Sequence, residues 1–226
     1  MRMRTAAILP VKRFSLAKQR LGETVDDPLR ADLARAMVGD VLSALRECAA
    51  IDATIVVTRE PLVTSAARYL GAIVVDDATE SGQSAAVSLG VEHAIERSFQ
   101  RALCIPGDCP ALDPHELTEL LAGDAEGVVI VPDRHGTGTN GLALVPPDVI
   151  APSFGPGSCE RHHALAAAAG AHCRVEHPSS LLLDIDTSKD LAALRERLAS
   201  ERVRAPRTRA VLGLVERHWQ SSQPAA

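Results

Sequence analysis

Leu103-Cys104-Ile105-Pro106-Gly107-Asp108-Cys109-Pro110-Ala111-Leu112 is an apolar run that stops on Gly-Asp and restarts after a proline. It reads as a buried strand with a carboxylate at its C-terminal edge. Open α/β sheets bind ligands in the crevice beyond the carboxyl ends of their strands, which makes Asp108 a candidate metal ligand. Gly-Asp before Pro is also ordinary turn chemistry, so the rest of the chain has to separate the two readings.

Working outward, helical and extended patterns alternate. Upstream lie a short apolar strand (Thr5 to Pro10) and a long helix (Pro28 to Ala50) carrying Leu29, Leu33, Met37, Val41, Leu42 and Leu45 at helical spacing. A strand at Thr54 to Thr58, a helix from Glu60 to Leu70 closed by Gly71, a strand at Ile73 to Val75 and a helix at Ala85 to Ser98 complete that half. Downstream come a helix (Pro114 to Leu121), aliphatic strands at Gly127 to Pro132 and Leu142 to Val145, and an Ala-rich helix ending near Ala169. A strand (Cys173 to Glu176) and a helix (Asp190 to Leu198) follow. This alternation predicts an α/β single domain, Rossmann-like, with a mostly parallel sheet flanked by helices and right-handed crossovers. The domain is expected to span residues 1–200. Residues 201–226 read as a C-terminal extension, with a short helical stretch at Val211 to Trp219 and partial disorder.

Composition narrows the function classes. Of 226 residues, 46% are hydrophobic and 23% charged, which is globular composition, and the net charge of −5 offers no global field for nucleic acid. The five cysteines are odd in number, scattered and without a CxxC pair, as expected of a reduced cytoplasmic chain. The apolar run after Met1-Arg2-Met3-Arg4 ends at Pro10, too short for a signal peptide or a membrane span.

Several loops at strand ends carry polar groups. Lys12, Arg13, Lys18 and Arg20 place four cations in a span of nine residues after the first strand. They form either a solvated basic loop or a phosphate clamp, and the absence of glycine rules out a Walker A loop. Ser81-Gly82-Gln83-Ser84 is either a plain helix cap or a nucleotide-facing loop in which Gln83 and Ser84 touch base or ribose. Gly136-Thr137-Gly138-Thr139 is a hairpin loop or an anion nest. Ser158 reads as the N-cap of the Ala-rich helix, with Arg161 one turn in. The adjacent His162 and His163 point to different helix faces, which favours surface or packing roles over metal ligation. In Leu183-Asp184-Ile185-Asp186-Thr187, Asp184 and Asp186 alternate along an extended segment and share one side. Thr187 and Asp190 have capping-box spacing.

Five of these motifs occur in a familiar order: Val11-Lys12-Arg13 to Ala17-Lys18-Gln19-Arg20-Leu21, Pro106-Gly107-Asp108-Cys109-Pro110, Gly136-Thr137-Gly138-Thr139-Asn140, Phe154-Gly155-Pro156-Gly157-Ser158 and Asp184-Ile185-Asp186-Thr187. Over roughly residues 5 to 198 the chain resembles the guanylyltransferases that make the guanylated three-carbon acid for the deazaflavin coenzyme F-420. The resemblance implies a single nucleotidyltransferase domain related to the molybdenum-cofactor guanylyltransferases. It implies GMP transfer from GTP to phosphoenolpyruvate, with 2-phospho-L-lactate or 3-phosphoglycerate as alternative acceptors, and release of pyrophosphate. Thr139, Gly155 and Ser158 are then expected to bind the phosphorylated acid. Asp108 and Asp184, with Asp186 in reach, would hold magnesium, two ions in all. Lys12, Arg13, Lys18 and Arg20 match the triphosphate loop, with Lys18 counted beside Asp108 and Asp184 as catalytic. Gln83 and Ser84 stand where the family has an asparagine-containing segment. A downstream transferase is the implied protein partner, a homodimer is open, and neither nucleic acid nor membrane is expected. The rival readings are a nucleotide-sugar glycosyltransferase and a non-catalytic nucleotide-binding domain. A phosphate monoester has its second pKa near about 6, so an acceptor phosphate needs no general base. The decisive expectation is that Asp108 and Asp184 converge.

Overall fold

A computed structural model describes residues 2–14, 21, 27–123, 125–200 and 203–222. The elements are β1 (Thr5–Val11), α1 (Asp27–Glu47), β2 (Ala53–Thr58), α2 (Pro61–Tyr69), β3 (Ile73–Val75), α3 (Gln83–Glu96), β4 (Arg101–Cys104) and α4 (Pro114–Leu120). They continue with β5 (Gly127–Pro132), β6 (Thr139–Val145), α5 (Ser158–Ala168), β7 (Cys173–Val175), α6 (Ser188–Leu198) and α7 (Pro206–Ser222).

The strands form one sheet in the order β3-β2-β1-β4-β6-β5-β7. β6 runs antiparallel to both neighbours, and every other pairing is parallel. From β1 the chain steps outward through β2 and β3, then α3 returns it to the other side of β1 as β4. The crevice between the carboxyl ends of β1 and β4 is therefore a topological switch point, where α/β sheets bind their ligands.

Alternation along the strands divides the core between two faces. Leu9, Leu103 and Ala143 pack with Val38, Val41 and Leu45 of α1 and Leu117 of α4. Ile8, Cys104, Leu142 and Leu144 pack with Val87 and Val91 of α3 and Ala166 of α5. The contact of α3 with β1 is close enough to require a glycine. A Cβ at Gly90 would lie 2.4 Å from Ile8 Cγ2 and 3.1 Å from Val57 Cγ2.

The C-terminal segment differs from expectation. In place of a short stretch from Val211, helix α7 starts at Pro206, and Leu212 joins Leu33 and Met37 of α1 and Leu194 of α6 in a third cluster. Its start is capped from α1: the buried Asp40 carboxylate accepts from Thr208 N at 2.8 Å and from Arg207 N at 3.2 Å. This cap lies far away in the chain, so no local pattern announces it. The Asp184–Asp186 segment is likewise no strand; it runs irregularly between a 3-10 turn (Ser179–Leu181) and α6. No helix among the described residues is long and apolar enough to cross a membrane.

Gly90→Ala tests the α3 to β1 contact. Alanine is the better helix former by about 1 kcal/mol, yet forcing a methyl against Ile8 is expected to lower stability by about 1–3 kcal/mol in denaturant unfolding. A variant at least as stable as the parent would show that the contact is slack.

Candidate active site

The switch-point crevice is a cleft of about 590 Å³. Its walls include Lys12 and Phe14 after β1, Gly107 and Asp108 after β4, Gln83 at the start of α3, and Asp186. Two of the proposed clamp cations are thus in view. Lys12 lines the cleft, while Arg13 is exposed and donates at 3.0 Å to Glu80, itself on the wall. Lys18 and Arg20 lie outside the described residues. Arg59, also on the wall, had not been singled out.

The second acidic segment lies against the loop that carries Asp108. Ile185 N donates to the Asp108 carbonyl at 3.1 Å, which pins the centre of the Asp184-Ile185-Asp186 segment to the loop after β4. Burial pushes the Asp184 carboxyl above its ordinary value, and the charges of Asp108 and Asp186 push in the same direction. An opposing pull comes from Asn140, whose side-chain amide donates to Asp184 Oδ1 at 3.1 Å and to the Leu181 carbonyl at 2.8 Å. The Asp186 side is fixed by the expected capping box: Asp190 Oδ2 accepts from Thr187 N at 2.6 Å and from Asp186 N at 3.1 Å. Arg134 pairs with the other oxygen of Asp190.

Asn140 carries no role in the sequence reading, although an amide inside an aliphatic strand is itself a signal. Its aim comes from a bulge. The register runs Val131 with Gly141 and then Pro132 with Thr139, so Asn140 is the extra residue. Strict alternation would place Asn140 with Leu142 and Leu144, and Thr139 with Ala143. The bulge reverses this, turning Asn140 toward Leu181 and Asp184 and Thr139 toward α5.

Thr139 and Ser158 do meet: Ser158 Oγ donates to Thr139 Oγ1 at 3.0 Å, and both are buried. His162 Nδ1 lies 3.0 Å from the same oxygen, and its Nε2 accepts from Ser153 N at 2.9 Å. Ser158 is not the helix cap as expected. Gly157, at φ 72°, holds that position and Ser158 is the first helical residue, so its hydroxyl is available to Thr139. Gly155, at φ 108°, accepts from Ser158 N at 3.0 Å. Arg161 braces this loop through the carbonyls of Ser153 and Phe154. Ser84 Oγ accepts from Phe154 N at 2.9 Å, tying the start of α3 to it, while Gln83 faces the cleft.

The Gly-Thr loop is not an open anion nest. Asp133 Oδ1 already accepts from His135 N and Thr137 N, both at 3.0 Å. A Cβ at Gly138 would lie 2.6 Å from Asp133 Oδ2, so the glycine there makes room for the loop's own carboxylate. All five cysteines are free, and burial pushes the Cys104 thiol up to about 12, which leaves it inert.

A central switch point, a cleft above it and carboxylates at its strand ends give the layout of a nucleotidyltransferase-type α/β protein. The fold is shared with a putative nucleotide-diphospho-sugar transferase from Desulfovibrio desulfuricans G20, with a TM-score of 0.75 at 17% identity over 95% of this chain and 98% of that one. A nucleotidyl transferase from Methanothermobacter thermautotroptrophicus matches with a TM-score of 0.63 at 24% identity, covering 87% and 98%. The chain belongs to the guanylyl transferase CofC-like family, whose model matches residues 5–196. A phosphoenolpyruvate guanylyltransferase of Conexibacter woesei is 50% identical over 214 residues, 93% of this chain and 96% of that protein. Another, from Sphaerobacter thermophilus, is 37% identical over 193 residues, 85% and 93% of the two chains.

Asp184 gives the site a testable stability cost. Unfolded, it ionises near the ordinary 3.8; folded, it resists until a higher pH, so the folded state binds more protons and loses stability as pH rises through that window. Asp184→Asn is expected to raise the Tm of the metal-free protein at pH 7, with the gain shrinking as the pH falls toward 3.8. A lower Tm at pH 7 would mean that the carboxylate stabilises the fold.

Proposed function

We propose that the chain transfers GMP from GTP to phosphoenolpyruvate, releasing pyrophosphate and forming enolpyruvyl-diphospho-guanosine for coenzyme F-420 biosynthesis. The observation that carries the reading is a cleft lined by Lys12, Asp108 and Asp186, with Asp184 near enough to feel the charge of Asp108, in a chain similar over nearly its whole length to phosphoenolpyruvate guanylyltransferases. A phosphate oxygen of the acid bonds to the α-phosphorus of GTP as the α–β bridging bond breaks, and the electron pair leaves with pyrophosphate. The acid's second phosphate pKa near about 6 makes this oxygen largely anionic at neutral pH, so no residue has to remove a proton.

Holding two anions together is the main task. Asp108 and Asp184, with Asp186 beside them, offer hard oxygen ligands whose mutual repulsion suits a divalent cation. Among the described residues no group of three acidic, His or Cys side chains forms a ready-made metal cage. Magnesium does not need one, since it binds through one or two carboxylates, waters and substrate phosphates. Bound there, two magnesium ions would neutralise the facing phosphates and the departing pyrophosphate. Lys12, Arg13, Lys18 and Arg20 hold the triphosphate, and Lys18 follows charge onto the leaving group. Gln83 and Ser84 contact the nucleoside, while Thr139, Gly155 and Ser158 orient the acid. The product carries a new P–O–P anhydride, an activated linkage suited to use by a transferase.

Pyrophosphate release from GTP is the test. Magnesium-dependent turnover with phosphoenolpyruvate is expected, abolished by EDTA and lowered on the order of 10²–10³-fold in Asp108→Asn. Turnover with only 2-phospho-L-lactate or 3-phosphoglycerate would move the acceptor; no turnover with any three-carbon phospho-acid would sink the reading.

A further inference from the structure

Between β6 and α5 the hydrogens of a buried polar trio can be counted. Ser153 N donates to His162 Nε2 at 2.9 Å, so that nitrogen presents a lone pair. His162 is fully buried, and burial, followed by the charge of Arg161, pushes its imidazole down to about 4, which keeps it neutral. The one remaining ring hydrogen therefore sits on Nδ1, 3.0 Å from Thr139 Oγ1. Ser158 Oγ donates to the same oxygen at 3.0 Å. A hydroxyl oxygen has two lone pairs, and both are now engaged. Thr139 can act toward any further partner only as a donor. The Phe154 ring, edge-on at 5.2 Å, holds the imidazole in this orientation.

We propose that His162 is a positioning residue: by donating from Nδ1 it makes the Thr139 hydroxyl an obligate donor for an acceptor-only oxygen, the carboxylate or phosphate of the acid substrate. The inference rests on the reading that Thr139 and Ser158 hold the phosphorylated acid. It adds a specificity rule to that reading. A carboxylate oxygen accepts from Thr139 without reorganisation, whereas the amide nitrogen of a carboxamide analogue would set donor against donor. His162 touches neither substrate in this scheme, and with both nitrogens committed it is no general base.

Two variants and one spectrum test it. In His162→Asn the side-chain amide nitrogen stands near the place of Nδ1 and keeps the donor to Thr139. His162→Gln puts its polar group near the place of Nε2 and loses that donor. The Gln variant is expected to raise KM for phosphoenolpyruvate about tenfold or more, as for one hydrogen bond to a charged group, with KM for GTP nearly unchanged. The Asn variant should keep a KM for the acid close to the parent's. An unchanged acid KM in the Gln variant, or parallel rises for GTP and acid, would overturn the proposal. Long-range 1H–15N NMR of the unmodified protein at pH 7 gives a readout independent of folding in the variants. The Nδ1–H tautomer is expected at His162; an Nε2–H tautomer or an imidazolium overturns the proposal. Because the spectrum needs no turnover, an enzyme that used no phospho-acid would count against the functional reading while the tautomer still decided this one.

Discussion

A single extra residue in β6 sets the layout of the site. In an unbroken strand neighbouring side chains face opposite sides of the sheet by fixed parity, and here that parity would send each polar residue to the wrong side. The bulge at Asn140 shifts it, so Asn140 reaches Asp184 and Thr139 reaches Ser158 and His162. The two groups are then one peptide unit apart, joined through the backbone of a strand that is hydrogen-bonded on both edges. The Asp184 contact and the Ser158–His162 contact are thereby held at neighbouring positions of one strand, the kind of fixed spacing that the proposed in-line transfer would use.

Rigidity is needed because the carboxylates repel. Asp108 and Asp184 stand at the end of the sheet where partial burial weakens solvation, and the protein restrains them by the backbone on either side. Ile185 N holds the Asp108 carbonyl, and the Asp190 carboxylate gathers the amides of Asp186 and Thr187. Arg134, from the loop before β6, pairs with Asp190 and so ties the second acidic loop to the strand that carries Thr139. Neither restraint removes the charge conflict. It persists in the folded chain as a cost in stability, the usual relation between a preorganised site and the stability it sacrifices.

Periodicity made most of the fold legible, because apolar runs bounded by Gly, Pro and Asp mark buried strands and the helices between them. The place of Asp108 on the cleft wall was legible for a related reason: a carboxylate in the loop that leaves such a strand has few places to be except the sheet's carboxyl edge. Other features depend on partners that no local window contains. Asp40 looks like one more acidic residue on α1 until α7 docks its first amides there. The Gly-Thr loop suggested an anion nest because its glycines are visible, while the occupant, Asp133, is visible only as an ordinary turn residue. Asn140 and His162 escaped for a topological reason. Their roles follow from a shift in register and from a hydrogen count, and both need coordinates.

The hydrogen count also bears on why the chemistry runs on charge. A buried histidine near a candidate substrate site invites the role of base, yet His162 has given Nε2 to the Ser153 amide and, on the tautomer proposed above, its proton to Thr139, and burial keeps it neutral well below physiological pH. A base in that condition has no lone pair to offer. The proposed nucleophile has no need of a base, because a phosphate monoester is largely deprotonated at neutral pH. On the proposed reading, what is left for the protein is to hold anions together and in line, and Lys12, Asp108 and Asp186 on the cleft wall are placed for that task. The same economy separates this arrangement from a site built to activate water or an alcohol, where the imidazole would have to keep one nitrogen free.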